Sequence, residues 1–196
     1  MEHIKKYFEK VAEKLCDEKE EQQIVAYGIE QLFFMCLNLV TILGIGFLCK
    51  EVVFGLLLFA GLYLLRPYAG GYHANSRWKC YLISVSLVLV FMVLRKIAIP
   101  LTVEALLYLL AVVKISLCAP VQNPVNPLEK EDAECYAGKA HQILLFFTAL
   151  WLISVLIESE ILGDSVCAVT VITVIFMIAG KIKYQYILAW RQNERR

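Results

Sequence analysis

The fold and the chemistry both depend on one stretch of sequence, Arg66-Pro67-Tyr68-Ala69-Gly70-Gly71-Tyr72-His73-Ala74-Asn75-Ser76-Arg77-Trp78-Lys79-Cys80. It lies between two apolar runs, residues 52–65 and 81–94, and holds one of the chain's three histidines. Pro67 and the Gly70-Gly71 pair predict that regular structure breaks just before the histidine. We interpret the stretch as a turn at a membrane surface that presents an imidazole and a thiol.

The composition is that of a polytopic membrane protein. Of the 196 residues, 60% are apolar and 19% are charged, and the mean hydropathy is +0.65. Soluble domains are typically about 45–50% apolar and about 25% charged. The formal net charge is +1 with no block of Lys or Arg, so nothing indicates nucleic-acid binding. The charged, amphipathic N-terminus predicts no removable signal peptide.

Six apolar runs predict an all-α integral membrane protein with six transmembrane helices, in one bundle at residues 27–179 followed by a cytosolic tail at residues 180–196. The runs cover about residues 27–49, 52–65, 80–94, 97–118, 142–157 and 166–179. The second and third runs fall short of the roughly 20 residues that a crossing needs. Unless flanking residues extend those two helices, the turn between them is expected in a recess. Since only Lys50-Glu51 joins the first two runs, those helices are expected to form a tight antiparallel hairpin.

Residues 1–23 are expected to form an additional amphipathic helix. Ile4, Phe8, Val11 and Leu15 recur at helical spacing, and lysines flank this stripe. We predict a helix that lies in the membrane interface. A soluble helix packed on the protein's own cytosolic loops is the alternative.

The positive charges predict the orientation in the cell membrane. Lys and Arg concentrate in the N-terminal segment, in the stretch 66–80, in the loop 119–141 and in the tail. Six crossings place all four on one side, which must be cytosolic, together with both termini and the reactive turn. Arg95-Lys96, on the other side with the acidic turn 158–164, is the one violation.

Three further features have a structural interpretation that we prefer. Glu104 and Lys114 fall inside the fourth run, and each is close enough to an end of the run to snorkel toward the headgroups. The proline-rich loop 119–127 is interpreted as a connector, with an edge that holds an extended peptide as the alternative. Cys135 and His141 are too far apart for a typical short pair of zinc ligands, so no metal or other cofactor is predicted.

His73 and Cys80 are the minimum for nucleophilic cysteine chemistry, because a nearby base converts the thiol to the reactive thiolate. On one unbroken helix they would stand about 10.5 Å apart, too far for proton transfer. We therefore expect a break at Asn75 or Ser76, a new helix that starts there, and Cys80 near its first turn. The positive end of that helix would stabilise a thiolate.

Three neighbouring residues are expected to support the pair. Arg66 should point toward the same recess, where it holds a substrate carboxylate or bonds backbone carbonyls. Gly70 and Gly71 let backbone pass close to a substrate and offer N–H groups for an oxyanion, or they support the turn structurally. The residues alone do not choose between these roles.

The pattern Arg66-x-x-Ala69-Gly70-Gly71-x-His73-Ala74-x5-Cys80 resembles the signature of the AgrB family, accessory gene regulator B. The resemblance extends to the amphipathic N-terminus, the six runs, and the loop with Ala119-Pro120-Val121 and Asn126-Pro127-Leu128. One departure is the acidic stretch at residues 129–134, where loops of the family are often basic.

The resemblance implies a membrane cysteine endopeptidase of quorum sensing that needs no cofactor. Such an enzyme cleaves an AgrD-like propeptide and cyclises it, through an acyl-enzyme thioester, to a thiolactone or lactone. Cys80 would be the nucleophile and His73 the base, and Arg66 and Gly71 match further positions important in the family. A homodimer is also expected. The alternatives are a small transporter or a structural membrane protein in which His73 and Cys80 are incidental, with a metalloenzyme third.

Overall fold

The helices follow the apolar runs of the sequence. The computed structural model describes residues 2–16, 18–72, 74, 76–97, 99–122 and 128–193. Within these residues the chain forms seven α-helices: α1 Glu2–Leu15, α2 Lys19–Cys49, α3 Val52–Ala69, α4 Arg77–Leu94, α5 Leu101–Cys118, α6 Lys130–Leu156 and α7 Glu160–Asn193. Of these, α2 to α7 are each long and apolar enough to cross a membrane. The predicted all-α class with six membrane-spanning helices is confirmed.

The chain divides into two units, Met1–Thr41 and Ile42–Arg196. In the first unit the apolar stripe of α1 contacts the first spanning helix, because the rings of Phe8 and Phe33 lie 5.6 Å apart. Helix α1 ends at Leu15 rather than near residue 23. The polar residues that follow belong to α2, whose first turn carries Glu20 and Glu21, and acidic side chains are favourable at a helix N-terminus.

Helix α7 is the most buried of the spanning helices and packs against α3, α5 and α6 of the second unit. Small residues allow the close approach: a Cβ atom at Gly61 of α3 would lie 2.6 Å from Cγ2 of Val169 on α7. The buried hydroxyls of Thr170 and Thr173 donate to carbonyls of α7 itself, so they are satisfied without a partner helix. The core contains the fully buried side chains of Phe54, Leu58, Leu65, Met92, Ile115, Ile172 and Met177.

Flanking residues extend the two runs that were too short. Helices α3 and α4 each have 18 residues, or about 27 Å, which is close to the roughly 30 Å of a hydrocarbon core. The prediction that Pro67 breaks the structure is wrong, because Pro67 lies inside α3, which ends at Ala69. A proline in the last turn removes only one N–H donor, and the Gly70 N–H still bonds the Arg66 carbonyl at 3.2 Å.

The last two helices are longer than their apolar runs. Helix α6 begins at Lys130, before the predicted start at residue 142, and α7 continues to Asn193. Residues 180–193, which were expected to be a tail, therefore continue the last spanning helix. The predicted tight link between α2 and α3 is confirmed, with Lys50 in the left-handed region at φ 60°.

Arg95 is neutralised by carboxylates from two other elements. It pairs with Glu51 in the α2–α3 link, and its Nε lies 3.1 Å from Oδ2 of Asp164 on α7. Its guanidinium carbon also lies 5.3 Å from the centroid of the Phe54 ring. An arginine with two acidic partners is not a free positive charge. This accounts for Arg95 in the Arg95-Lys96 violation of the charge rule, whereas Lys96 is exposed.

Glu104 lies in the first turn of α5, close to the end of the run as predicted, and its carboxylate has a partner inside the bundle. One of its carboxylate oxygens accepts a hydrogen bond of 2.9 Å from Nε1 of Trp151 on α6. The Trp151 ring stacks on Tyr108 with the centroids 5.1 Å apart, and the Tyr108 hydroxyl lies 2.9 Å from that of Thr148. The cost of a carboxylate at this depth is therefore offset inside the bundle, by a donor on a neighbouring helix.

We expect Arg95→Gln to lower the free energy of unfolding by roughly 2–3 kcal/mol, because it leaves two partly buried carboxylates without their cation. Loss of one partner from a fully buried pair costs about 3–5 kcal/mol. The effect is smaller here because the side chains of Glu51 and Asp164 are 16% and 30% exposed. The measurement is thermal unfolding of the purified protein in detergent.

Lys96→Gln is the matched control, since Lys96 is the adjacent residue and its side chain is exposed. This variant should unfold at the wild-type temperature, because a substitution at an exposed site changes stability by about 0.5 kcal/mol or less. Equal unfolding temperatures for both variants and the wild type would show that the ion pairs do not stabilise the bundle.

Candidate active site

Cys80 lies in the first turn of α4. The helix begins at Arg77, and Ser76 precedes it with extended backbone at φ −139° and ψ 139°. The Cys80 N–H donates to the Ser76 carbonyl at 3.1 Å, so Cys80 is the fourth residue of the helix. The expected helix start after Ser76 is therefore confirmed. A partly buried, free thiol at this position is close to the positive end of a helix, which favours an anion.

His73 and Asn75 lie outside the described residues. The approach of the His73 imidazole to the Cys80 sulfur accordingly stays a prediction. What the structure does describe is the backbone on both sides: Gly70 to Tyr72 before the histidine, and α4 after it.

The peptide unit that joins Gly71 to Tyr72 is held at both ends by α7. The Gly71 carbonyl accepts a hydrogen bond of 2.9 Å from the Tyr184 hydroxyl. The Tyr72 N–H of the same peptide unit donates to the Phe176 carbonyl at 2.8 Å. These two contacts fix the plane of the peptide, because turning it over would break both hydrogen bonds at once.

The two flanking peptide units are held by other elements. The Gly71 N–H donates to the Val121 carbonyl at 3.3 Å. The Tyr72 carbonyl accepts a hydrogen bond of 2.8 Å from Nη2 of Arg66 on α3. All four backbone hydrogen-bonding groups of the two residues that precede His73 are therefore paired. Their partners come from α3, α7 and the segment after α5.

Three glycines allow this arrangement. Gly70 has φ 69° and Gly71 has φ 122°, in the region that side chains disfavour. A Cβ atom at Gly70 would lie 2.5 Å from the Val121 carbonyl oxygen, and one at Gly71 would lie 2.7 Å from that of Phe176. Gly180 of α7 faces them, since a Cβ atom there would lie 2.5 Å from the Gly71 carbonyl carbon. Backbone meets backbone directly at this point of the fold.

Arg66 lies flat against α7. Its guanidinium carbon is 3.4 Å from the centroid of the Phe176 ring, and the two groups form a cation–π contact. The Cys80 thiol and the Tyr184 phenol both lie within electrostatic range of this guanidinium. The hydrogen bond to the Tyr72 carbonyl favours the second of the two roles expected for Arg66, support of the turn. Its Nε is buried and has no hydrogen-bond partner in the part of the chain that the structure describes.

The proline-rich loop is more than a connector in its first part. Val121 forms an isolated parallel bridge with Gly70, and its N–H donates to the Ala69 carbonyl at 3.0 Å. Residues 119–122 therefore lie against the reactive turn. Residues 123–127, which include two of the three prolines of the loop, lie outside the described part.

Two lysines lie over tyrosines on either side of the glycine pair. Nζ of Lys139 on α6 is 5.4 Å from the centroid of the Tyr68 ring. Nζ of Lys183 on α7 is 5.0 Å from the centroid of the Tyr72 ring. The two lysines thus add positive charge from α6 and α7 beside this turn, in addition to the charge of Arg66 on α3.

The sequence interpretation missed the residues of α7 that hold the turn: Phe176, Gly180 and Tyr184. They lie in or just after an apolar run more than a hundred residues from the turn, and a membrane helix contains such residues for many reasons. A tyrosine just after the end of the run was the signal that the sequence offered. Among the described residues, no group of three or more His, Cys, Asp or Glu is placed to hold a metal ion.

Comparison with known proteins identifies the family. The family model of accessory gene regulator B, AgrB, matches residues 4–187. A curated relative, Protein FsrB of Enterococcus faecalis, is 29% identical over 119 residues, which cover 59% of this chain and 49% of the relative. The match thus spans about half the length of that relative, and no solved structure matches the chain. Since the family model covers nearly the whole of its length, the chain belongs to the AgrB family of membrane proteins.

Proposed function

We propose that this protein is a membrane cysteine endopeptidase that cleaves an AgrD-like propeptide and cyclises the released segment. The observation that carries the proposal is the position of Cys80, in the first turn of α4 and within electrostatic range of Arg66. The backbone that leads into His73 is held by hydrogen bonds from α3 and α7. A fixed turn beside a thiol at a helix start is what a cysteine nucleophile and its base require.

The proposed first step forms an acyl-enzyme. His73 takes the proton from the Cys80 thiol, and the thiolate attacks the carbonyl carbon of the scissile peptide bond. The carbon–nitrogen bond then breaks, and the leaving amine receives the proton from the His73 imidazolium. The products of this step are the C-terminal fragment with a free amine and a thioester between the N-terminal fragment and Cys80.

The proposed second step closes the ring. A thiol or hydroxyl side chain of the bound peptide attacks the thioester carbonyl, its proton passes through His73, and the Cys80 thiol is released. When the attacking group is a thiol, one thioester is exchanged for another. The free energy changes little, so this step needs no ATP. Water is the competing nucleophile, and a site at the level of the headgroups limits its access.

We assign Gly70 and Gly71 to support of the turn rather than to an oxyanion hole. The N–H groups of Gly70, Gly71 and Tyr72 donate to the carbonyls of Arg66, Val121 and Phe176 respectively. Stabilisation of the thiolate and of the tetrahedral oxyanion is assigned to the positive end of α4. Arg66 supports the turn through the Tyr72 carbonyl.

We further propose that both termini and the Cys80 site face the cytosol, and that the protein is a homodimer. The distribution of Lys and Arg supports the orientation, and the pairing of Arg95 with two carboxylates leaves only Lys96 of the exception at Arg95-Lys96. The family resemblance motivates the dimer. In this arrangement an amphipathic propeptide on the inner membrane surface reaches the site by diffusion in two dimensions.

We expect Cys80→Ala to abolish propeptide cleavage and His73→Ala to lower its rate by about 10²- to 10⁴-fold, the contribution of a general base. Both variants should insert into the membrane as the wild type does. The measurement is co-expression with an AgrD-like propeptide, followed by mass spectrometry of the peptide products.

Cys135→Ala and His141→Ala are matched controls, since both residues are exposed on α6 and the substitutions are the same. Each should process the propeptide as the wild type does. Normal processing by Cys80→Ala would reject the peptidase and favour a transporter or a structural membrane protein.

We expect labelling with a membrane-impermeant maleimide to place residues 158–164 outside the cell and Cys135 inside. The test compares Ser159→Cys with native Cys135, each as the single cysteine of an otherwise cysteine-free chain. Ser159→Cys should react in intact cells, whereas Cys135 should react only after the membrane is opened. The reverse pattern would overturn the proposed orientation.

A further inference from the structure

Tyr184 is a buried polar residue that cleavage chemistry alone does not explain. Its side chain is 6% exposed, and its hydroxyl donates to the Gly71 carbonyl at 2.9 Å. Burial of a hydroxyl costs free energy unless it finds a partner, whereas a phenylalanine would fill nearly the same volume without that cost. One partner that offsets this cost is the Gly71 carbonyl.

The Gly71 carbonyl belongs to the part of the turn with the greatest intrinsic freedom. Gly70 and Gly71 are consecutive glycines at positive φ, and glycine has several backbone conformations of similar energy. A peptide unit that follows a glycine can by itself turn over at little torsional cost. Rotation of the peptide unit between Gly71 and Tyr72 would change the direction in which the chain continues after Tyr72.

Three contacts oppose this rotation, and one of them comes from Tyr184. Helix α7 holds the carbonyl of the peptide unit through Tyr184 and its N–H through the Phe176 carbonyl. Arg66 holds the carbonyl of the next unit, which joins Tyr72 to His73. Arg66, which belongs to this hydrogen-bonded set, also interacts electrostatically with the Cys80 thiol.

We propose that Tyr184 is a positioning residue of the cleavage reaction, whose hydroxyl fixes the Gly71–Tyr72 peptide unit and thereby the backbone from which His73 projects. The inference rests on the proposed function, because it assumes that His73 activates Cys80. Its hydroxyl contacts the turn through the Gly71 carbonyl. It acts through the turn, so its loss should impair activation of the thiol without changing how the propeptide binds.

The experiment compares Tyr184→Phe with Tyr186→Phe in nanodiscs. The two substitutions remove the same atom from the same helix, but the Tyr186 side chain is 76% exposed. The readout is the rate of Cys80 alkylation by iodoacetamide as a function of pH, measured by mass spectrometry of the peptide that contains Cys80. The His73→Ala variant defines the profile of a thiol without its base.

We expect Tyr184→Phe to shift the alkylation profile toward that of His73→Ala. At neutral pH the alkylation rate and the kcat for propeptide cleavage should both fall by about tenfold, a part of the roughly 10²- to 10⁴-fold that a general base contributes. The KM should stay within about twofold of wild type, since substrate contacts are unchanged. Tyr186→Phe should match the wild type in both assays.

A third variant separates positioning from packing. Replacement of Tyr184 by p-aminophenylalanine keeps a donor on the ring, and it should restore the wild-type profile where Tyr184→Phe does not. A wild-type profile for Tyr184→Phe, an equal loss in Tyr186→Phe, or no rescue by the amino group would each overturn the positioning role.

The alkylation profiles distinguish failure of the proposed function from failure of the inference about Tyr184. If His73→Ala left the wild-type alkylation profile unchanged, the His73–Cys80 pair would be rejected, and the role of Tyr184 with it. If His73→Ala changed the profile but Tyr184→Phe did not, the catalytic pair would stand and only the inference about Tyr184 would fail.

Discussion

The reactive turn depends on the two hydrogen bonds with which α7 holds the peptide unit between Gly71 and Tyr72. One end of this unit accepts from the Tyr184 hydroxyl, and the other donates to the Phe176 carbonyl. A turn with two glycines has little conformational preference of its own, so neighbouring elements must select one conformation. Helix α7 can reach it because Gly180 lets its backbone contact the turn directly. The most buried helix of the bundle is therefore also the one that sets the geometry of the site.

Polar contacts at the two ends of α3 also join separate elements of the bundle. Near one end, Glu51 pairs with Arg95, which also bonds Asp164 of α7. Near the other end, Arg66 bonds a backbone carbonyl and stacks on Phe176 of α7. A charge at this depth is costly in lipid, and each of these arginines has partners that offset the cost. In both places one partner of the arginine comes from α7, which links the packing of the core to the placement of the charges.

The position of Cys80 suits chemistry that must exclude water. A thiol at the start of a membrane-spanning helix is at the level where lipid headgroups replace bulk solvent. Under the proposed function, an acyl-enzyme at this level would meet less water than on a soluble protein. The first residues of the proline-rich loop border the same turn, through the bridge between Val121 and Gly70.

The sequence by itself determined the class and the order of the elements. Apolar runs of suitable length and the short link at Lys50-Glu51 specify six crossings, and Ser76 marks the start of α4 before Cys80. These are local properties, since a helix that spans a membrane satisfies its own backbone. The predicted ends of the helices were less accurate. Pro67 was expected to break regular structure but lies within α3, because a proline near the end of a helix costs only one hydrogen bond.

What only the tertiary structure decided is which residues meet. The contact between Tyr184 and Gly71 joins positions 113 residues apart, and the partners of Arg95 and Glu104 are equally remote along the chain. Periodicity describes one helix at a time, and the faces that pack together depend on the shapes of all the others. The sequence therefore specified Cys80 at the start of α4 and the glycine turn before it, while the packing of α7 against α3 selected the residues that hold the turn.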